Sequence, residues 1–129
     1  MSSSAARPRD ATASPSERAG LLQRLTAPEQ FRLAYREGRR LSDGLLVVYA
    51  RANGLRVRRV GIAVPGRLGT AAHRNRLKRR VREAARAAAA AAPEGTDVVI
   101  VPRPAAAEAP YAALQDSVRA LFNRAAGAR

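Results

Sequence analysis

Apolar and polar positions along the chain define one patterned region that follows an unpatterned start. Residues 1–19 are rich in Ser, Ala, Arg and Pro and show no period, which is typical of a disordered tail. From residue 20 onward, segments with the helical period of 3.6 alternate with short apolar runs. The pattern predicts a single domain over 20–126 and a short C-terminal tail over 127–129.

The first periodic segment predicts a helix from about 27 to 37. Thr26 and Glu29 have the spacing of a capping box, and Pro28 is tolerated in a first helical turn. Gly38 is a natural stop for this helix.

Two apolar runs, 45–50 and 56–64, have the length and composition of strands. Asn53-Gly54 between them is a strong β-hairpin signal, so the two strands are expected to pair directly. Their alternation is imperfect, which indicates that part of the sheet is covered on both faces. A further short strand is expected around 39–41.

The second half of the chain predicts a helix, a strand and a closing helix. The helix is expected over about 70–92, because Thr70 can cap its start and a proline and a glycine follow its end. The segment TDVVIVPRP has the composition of a short buried strand, and 110–125 forms an amphipathic helix. The inner side of that helix is expected to carry Leu114, Val118, Leu121 and Phe122. The order α-β-β-α-β-α predicts an α+β fold, a two-layer α/β sandwich with three helices and a central, mostly antiparallel sheet of about four strands.

Charge narrows the class of partner. The chain of 129 residues has 24 Lys and Arg against 10 Asp and Glu, a formal charge of +14 and a pI near 11.8. Such an excess repels itself in a compact domain, and a polyanionic partner relieves it. Nucleic acid is therefore the expected partner, ahead of an anionic membrane or an acidic protein.

Several classes of site are excluded by composition. The chain has no cysteine and one histidine, which excludes disulfides, thiolate metal sites and sites with several histidines. No apolar run approaches the roughly 18 residues of a membrane span, and the polar start lacks the apolar core of a secretory signal. A cytoplasmic protein without a membrane role is expected.

The segment HRNRLKRRVREAAR, residues 73–86, holds seven basic residues and one acid. On a helix, an apolar stripe forms that comprises Leu77, Val81, Ala84 and Ala88. Beside it run Arg74, Lys78 and Arg82, with a rise of about 6 Å per four-residue step, close to the spacing of phosphates along a nucleic-acid backbone. Charge runs are often only a solvated face, but these charges are almost all of one sign, which favours binding of a polyanion.

The string RNRLKRRVRE, residues 74–83, resembles the signature helix of the protein subunit of bacterial ribonuclease P, Arg-Asn-Arg-x-Lys-Arg-x-x-Arg followed by Glu or Gln. FRLAYREGRR, LLVVYARAN, RVGIAV and TDVVIVPRP also resemble successive segments of that family. The resemblance covers roughly residues 21–125. One departure is in the loop before the helix, where the family usually carries Ser-Lys-Lys and this chain has Pro65, Gly66 and Arg67.

The resemblance implies a ribosomal-protein-like fold with a left-handed β-α-β crossover, against the usual right-handed preference. It implies an accessory subunit of a ribonucleoprotein endonuclease that removes the 5′ leader of precursor tRNA. Catalysis would be carried by the RNA subunit, which would also bind most of the Mg²⁺. The expected partners are that catalytic RNA and precursor tRNA, with no further protein required.

The same resemblance implies two sets of binding residues and no catalytic residue in the protein. The residues expected to contact the catalytic RNA are Arg67, Arg74, Asn75, Arg76, Lys78, Arg79 and Arg82. Those expected in a cleft for the single-stranded leader are Phe31, Tyr35 and Tyr49. Arg58 is added to this cleft as a candidate from its position after the expected hairpin turn. Stacking of unpaired bases on aromatic rings above a basic floor gives this cleft a physical basis.

Other interpretations of the same residues stay open. Phe31 and Tyr35 are four apart, a spacing more often found in a core pair, and Arg56, Arg58 and Arg59 can be plain surface residues. His73 fits a capping or solvent-facing role. The main alternative function is a structural RNA binder of the ribosomal type. A helix-turn-helix regulator fits poorly because strands surround the basic helix, and a membrane-surface helix lacks large apolar residues.

Overall fold

The computed structural model describes residues 22–127. The predicted tail at 1–19 lies outside the described residues. Gly127, which the sequence pattern assigns to a C-terminal tail, is the last residue of the final helix.

Five strands and three helices make up the described part of the chain. In chain order they are β1 (Leu22–Arg24), α1 (Pro28–Glu37), β2 (Arg39–Ser42), β3 (Leu46–Ala52), β4 (Arg58–Ile62), α2 (Ala71–Ala87), β5 (Thr96–Pro102) and α3 (Tyr111–Gly127). Short 3-10 turns precede α2, follow it and precede α3. The α+β class, the three helices and the short strand near residue 39 are confirmed. The predicted count of about four strands is one short, because β1 is only three residues long and has no alternation of its own.

The strands form one mixed sheet in the order β1-β4-β5-β3-β2. Strands β1 and β5 each run parallel to β4, whereas β3 is antiparallel to both β5 and β2. The sheet is therefore half parallel rather than mostly antiparallel. Helix α2 connects β4 to its parallel neighbour β5, so a β-α-β crossover is present, and its left-handed sense stays a prediction.

The predicted hairpin between β3 and β4 is wrong, because β5 lies between these strands. Val98, Val99 and Ile100 of β5 are all at most 1% exposed, so the strand needs a neighbour on each edge and cover on each face. That burial outweighs the local turn preference of Asn53-Gly54. Asn53 instead holds a wide loop, since its side chain accepts from the Leu55 amide at 2.7 Å and donates to Asp97 at 2.9 Å.

Alternate residues of the strands enter two separate apolar clusters. Val98 and Ile100 belong to the main core, which α2 and α3 cover. Val99 belongs to a smaller cluster with Leu25 and Ala34, which α1 covers. Because successive side chains of a strand point to opposite faces, α1 and the α2–α3 pair lie on opposite sides of the sheet. Helix α1 thus adds a partial third layer to the predicted two.

The caps of the helices follow the sequence only in part. Ala27 is the N-cap of α1, and its amide donates to the Gln30 side chain at 3.3 Å. The predicted capping box of Thr26 and Glu29 is therefore wrong, and Glu29 pairs with Arg32 instead. Thr70 caps α2, as the sequence predicts. Helix α2 ends at residue 87 and continues as a 3-10 turn to 91, close to the predicted end.

Candidate nucleic-acid interface

Helix α2 presents its charges outward because its apolar residues form one stripe. The predicted stripe is confirmed: Leu77, Val81, Ala84 and Ala88 are all buried in the main core. Ala85 joins them at 2% exposed. At the start of the helix, the Thr70 hydroxyl accepts a hydrogen bond from the His73 amide at 3.2 Å. The buried stripe and the cap together fix which way the basic side chains point.

The six signature residues of α2 are here called the basic face; five of them follow one arc of the helix, whereas Arg76 lies toward the flank that also holds Arg80. Its exposed members are Asn75, Arg76 and Arg79. Its half-buried members, which flank the apolar stripe, are Arg74, Lys78 and Arg82. The Arg74 guanidinium donates to the Gly69 carbonyl at 3.2 Å, so it also fixes the loop that leads into the helix.

The charge of the basic face is not neutralised by the part of the protein that the structure describes. The ion pairs within 22–127 involve the basic residues Arg32, Arg36, Arg51, Arg59 and Arg119, none of which lies on α2. Glu83, the one acid of α2, takes part in none of them. An external polyanion is the physical way to offset this repulsion.

Three other polar residues near α2 have distinct positions. Arg67 is exposed in the 3-10 turn before the helix, so it extends the basic face beyond the helix start. Arg80 points to the other flank, where it donates to the Ala109 carbonyl at 2.5 Å and ties α2 to the turn before α3. His73 is exposed and lies against the Gly69 backbone, in keeping with a capping or solvent-facing role.

Three aromatic residues meet on the opposite side of the sheet, and they are here called the aromatic groove. Tyr49 on β3, Val99 on β5 and Gly61 on β4 are register partners, so they form one row across the sheet. The Phe31 ring from α1 lies over Gly61, where a Cβ atom would stand 2.5 Å from Phe31 Cζ. Tyr35, one turn further along α1, meets Tyr49 edge to face with ring centroids 5.1 Å apart.

The aromatic groove is both a packing cluster and an accessible surface. Phe31 and Tyr49 are half-buried against the small cluster under α1, so both take part in packing. Tyr35 is 42% exposed, so part of its side chain is accessible to a ligand. Burial raises the pKa of the Tyr35 hydroxyl, as does the neighbouring Tyr49. Its hydroxyl is therefore protonated at neutral pH and can donate a hydrogen bond.

The predicted cleft residue Arg58 does not lie with the aromatic groove. Adjacent residues of a strand face opposite sides, and Arg58 points to the α2 side, where its Nε donates to the Ala92 carbonyl at 2.7 Å. Arg59 is the one that faces the groove, but Asp97 binds it with two hydrogen bonds of 2.7 and 2.9 Å. Arg40 is the register partner of Tyr49 on the edge strand β2, so it lies on the groove side and is exposed.

Arg24 and Arg40 were not predicted from the sequence as binding residues, although Arg24 lies near α2 and Arg40 lies on the side of the aromatic groove. Both sit on short edge strands, β1 and β2, whose neighbours become known only from the sheet order. The alternation of Arg58 and Arg59 with the buried Val60 was the available signal for which arginine faces away from the main core.

Metal binding and membrane insertion find no support in the described residues. Within residues 22–127, no three His, Cys, Asp or Glu side chains stand close enough together to hold a metal ion. The described helices include none with the length and apolar character of a membrane span.

Residues 22–126 match the family model described as Ribonuclease P. A ribonuclease P protein component of Roseiflexus sp. strain RS-1 is 42% identical over 103 residues, which are 79% of this chain and 84% of that protein. One from Thermotoga maritima is 42% identical over 81 residues, 63% of this chain and 69% of that protein.

Solved structures give the same result at the level of the fold. The ribonuclease P protein of Thermotoga maritima superposes with a TM-score of 0.73 and 33% identity, over 79% of this chain and 96% of the other. The ribonuclease P protein of Staphylococcus aureus gives a TM-score of 0.67 at 26% identity, over 75% of this chain and 89% of the other.

Proposed function

Because the chain belongs to the ribonuclease P protein family, we propose that it binds two RNA segments at once. The basic face of α2 binds the catalytic RNA, and the aromatic groove binds the single-stranded 5′ leader of precursor tRNA. The observation that carries this proposal is the position of the two surfaces on opposite sides of one sheet. A protein built in this way can bridge the ribozyme and its substrate without either strand displacing the other.

The basic face supplies charge neutralisation rather than chemistry. Its guanidinium and ammonium groups offset the repulsion between phosphates that crowd together when the catalytic RNA folds, and binding releases condensed counterions. The RNA then needs less Mg²⁺ to fold, and the RNA carries out the cleavage with metal ions that it binds itself. The protein acts in the cytoplasm, where both RNA partners are present.

The aromatic groove supplies affinity for unpaired RNA. The exposed part of the Tyr35 ring offers a stacking surface, and Tyr49 contacts that ring edge to face. Arg40 gives the groove a cation that no described acid pairs with. Stacking is tolerant of sequence because every base has a π face, which suits leaders that differ between precursor tRNAs.

The alternative function, a structural RNA binder of the ribosomal type, is not supported. The family match covers 22–126, nearly all of the described residues, and the similar curated proteins are named as ribonuclease P protein components.

A reconstitution with separable variants tests the proposal. The chain is mixed with a bacterial catalytic RNA and precursor tRNAs with long and short leaders, at low Mg²⁺. The wild-type chain should raise the cleavage rate, and Tyr35→Ala should weaken binding of the long-leader substrate about tenfold without weakening catalytic RNA binding. The double variant Arg76→Gln/Arg79→Gln should weaken binding of the catalytic RNA and leave the difference in affinity between long-leader and short-leader substrates unchanged.

Tyr111→Ala is the matched control, because Tyr111 is 38% exposed at the start of α3, outside the groove. It should behave as wild type in both assays. A wild-type chain that leaves the cleavage rate unchanged at low Mg²⁺ would reject the function. If Tyr35→Ala binds the long-leader substrate as tightly as Tyr111→Ala does, the aromatic groove is not the leader site.

A further inference from the structure

A cavity of about 270 Å³ opens between the edge strand β1 and the C-terminal half of α2. Its walls are mostly aliphatic and comprise Leu22, Val60, Ile62, Ala85 and Ala89. Leu22 and Arg24 on β1 are register partners of Arg58 and Val60, so they point to the α2 side of the sheet, away from the aromatic groove. The volume is just below the usual range for ligand pockets, roughly 300–1,000 Å³, which fits a small planar group.

Three arginines surround this cavity, one from β1 and two from α2. They are Arg24, Arg82 and Arg86, and none of the acidic residues between 22 and 127 lines the cavity with them. Burial lowers the pKa of the Arg82 guanidinium, and repulsion from Arg24 and Arg86 lowers it further. An anion placed among the three would remove that repulsion. The cavity therefore combines an apolar interior with a cationic rim.

We propose that this cavity binds one unpaired nucleotide of RNA, with the base between the aliphatic walls and its phosphate on Arg24, Arg82 and Arg86. The proposal rests on the RNA-binding function above and extends it, because the role proposed for the basic face is neutralisation of backbone phosphates and involves no base. Arg82 belongs to both surfaces, so the cavity continues the basic face toward the sheet edge. The basic face would bind a folded strand, and the cavity would hold a base that leaves that strand.

The lining predicts how selective the site is. Aliphatic walls and guanidinium planes accept any base by contact with its flat face, so shape rather than hydrogen bonding decides binding. Gln23 stands between Leu22 and Arg24 on β1 and pairs in register with Arg59, so its side chain points to the opposite face of the sheet. The described side chains that enter the cavity are therefore aliphatic or cationic. The site should bind purine and pyrimidine nucleotides with similar affinity.

Mononucleotides and the isolated sugar phosphate distinguish a nucleotide site from a phosphate site. Adenosine 5′-monophosphate and uridine 5′-monophosphate are titrated into the full chain, and the Ala85 and Ala89 methyl resonances are followed by NMR. Both should bind about tenfold more tightly than ribose 5-phosphate, which has no base. Equal affinity for ribose 5-phosphate would overturn the proposal, because it would show a phosphate site only.

Two pairs of variants locate the binding. Ala89→Leu fills the cavity from a half-buried position, and its control Ala90→Leu adds the same side chain at an exposed neighbour that does not line it. Arg24→Gln removes one rim charge, and its control Arg119→Gln removes one charge from the exposed side of α3. Ala89→Leu and Arg24→Gln should each weaken nucleotide binding at least fivefold, and the controls should not.

The same four variants are measured for affinity to the catalytic RNA, which separates the two proposals. One outcome overturns only the nucleotide site: the wild-type chain binds the catalytic RNA tightly, but Ala89→Leu and Arg24→Gln bind nucleotides as tightly as their controls do. If the wild-type chain does not bind the catalytic RNA at all, the proposed function fails. Weaker binding of both ligands by Ala89→Leu and Arg24→Gln supports the cavity as part of the RNA interface.

Discussion

Gly61→Ala should disrupt the aromatic groove by displacing the Phe31 ring. The new Cβ would stand 2.5 Å from Phe31 Cζ, 2.9 Å from Phe31 Cε2 and 3.1 Å from Leu25 Cβ. Carbon atoms pack at about 3.5–4.0 Å, so the ring must move by an ångström or more or leave its place. Overpacking of this kind costs about 1–3 kcal/mol.

Thermal unfolding measures this cost. For a domain of this size, 1 kcal/mol corresponds to a change in Tm of about 4–8 °C, so Gly61→Ala should lower the Tm by roughly 5–20 °C. Adding Phe31→Leu, which shortens the clashing side chain, should recover part of that loss. The two changes should therefore couple in a double-mutant cycle.

Gly44→Ala is the matched control, because a Cβ at Gly44 meets no atom within 4 Å. It should leave the Tm unchanged or raise it slightly by restricting the unfolded chain. Since a displaced Phe31 also disturbs the groove, Gly61→Ala should weaken leader binding, as the long-leader assay reports. Equal Tm values for Gly61→Ala and wild type would refute the assignment of Gly61 as the seat of the Phe31 ring.

Three further predictions concern stability. Asp97→Asn breaks an ion pair in which the Asp97 side chain is 2% exposed and the Arg59 side chain 20% exposed. The free energy of unfolding, measured in urea, should fall by about 3 kcal/mol. A loss below about 1 kcal/mol would contradict this prediction. Burial raises the pKa of Asp43, but hydrogen bonds from Ser117 and two amides outweigh it, so the pKa lies below 3.8. The ionised Asp43 therefore stabilises the fold above about pH 4, and this stabilisation is lost as pH falls through the folded pKa. In Asp43→Asn the free energy of unfolding should fall less steeply between about pH 4 and lower pH. The same acid dependence in Asp43→Asn and wild type would contradict this role of Asp43. Thr70→Ala removes the cap of α2 and should cost about 1 kcal/mol in the same urea assay, whereas no loss would mean that the His73 amide finds another acceptor.

Helices were predictable here because their period is a local property. The stripe through Leu77 and Val81 and that through Leu114 and Val118 follow from spacing alone, and both are buried. The strand pairing was not predictable in the same way. Asn53-Gly54 favours a hairpin locally, but the sheet order is set by the burial of β5 on two faces and two edges, a long-range term.

The candidate site shows the same division between local and long-range information. The spacing of Phe31 and Tyr35 places both on one region of α1, and the resemblance supplied Tyr49. Only the sheet register shows that Gly61 makes room for the Phe31 ring. Likewise, alternation along β4 shows that Arg58 and Arg59 face opposite sides of the sheet, but only the position of α1 shows that the groove lies on the Arg59 side.

The salt dependence of binding to the catalytic RNA tests the role of the basic face most directly. The slope of log K against log salt changes by about 0.7–0.9 for each phosphate that the protein no longer neutralises. The triple variant Arg76→Gln/Lys78→Gln/Arg79→Gln should therefore have a slope shallower than wild type by about 2–3. A triple variant that removes the same charge elsewhere, Arg32→Gln/Arg36→Gln/Arg119→Gln, should keep the wild-type slope. Identical slopes for the two triple variants would contradict the account.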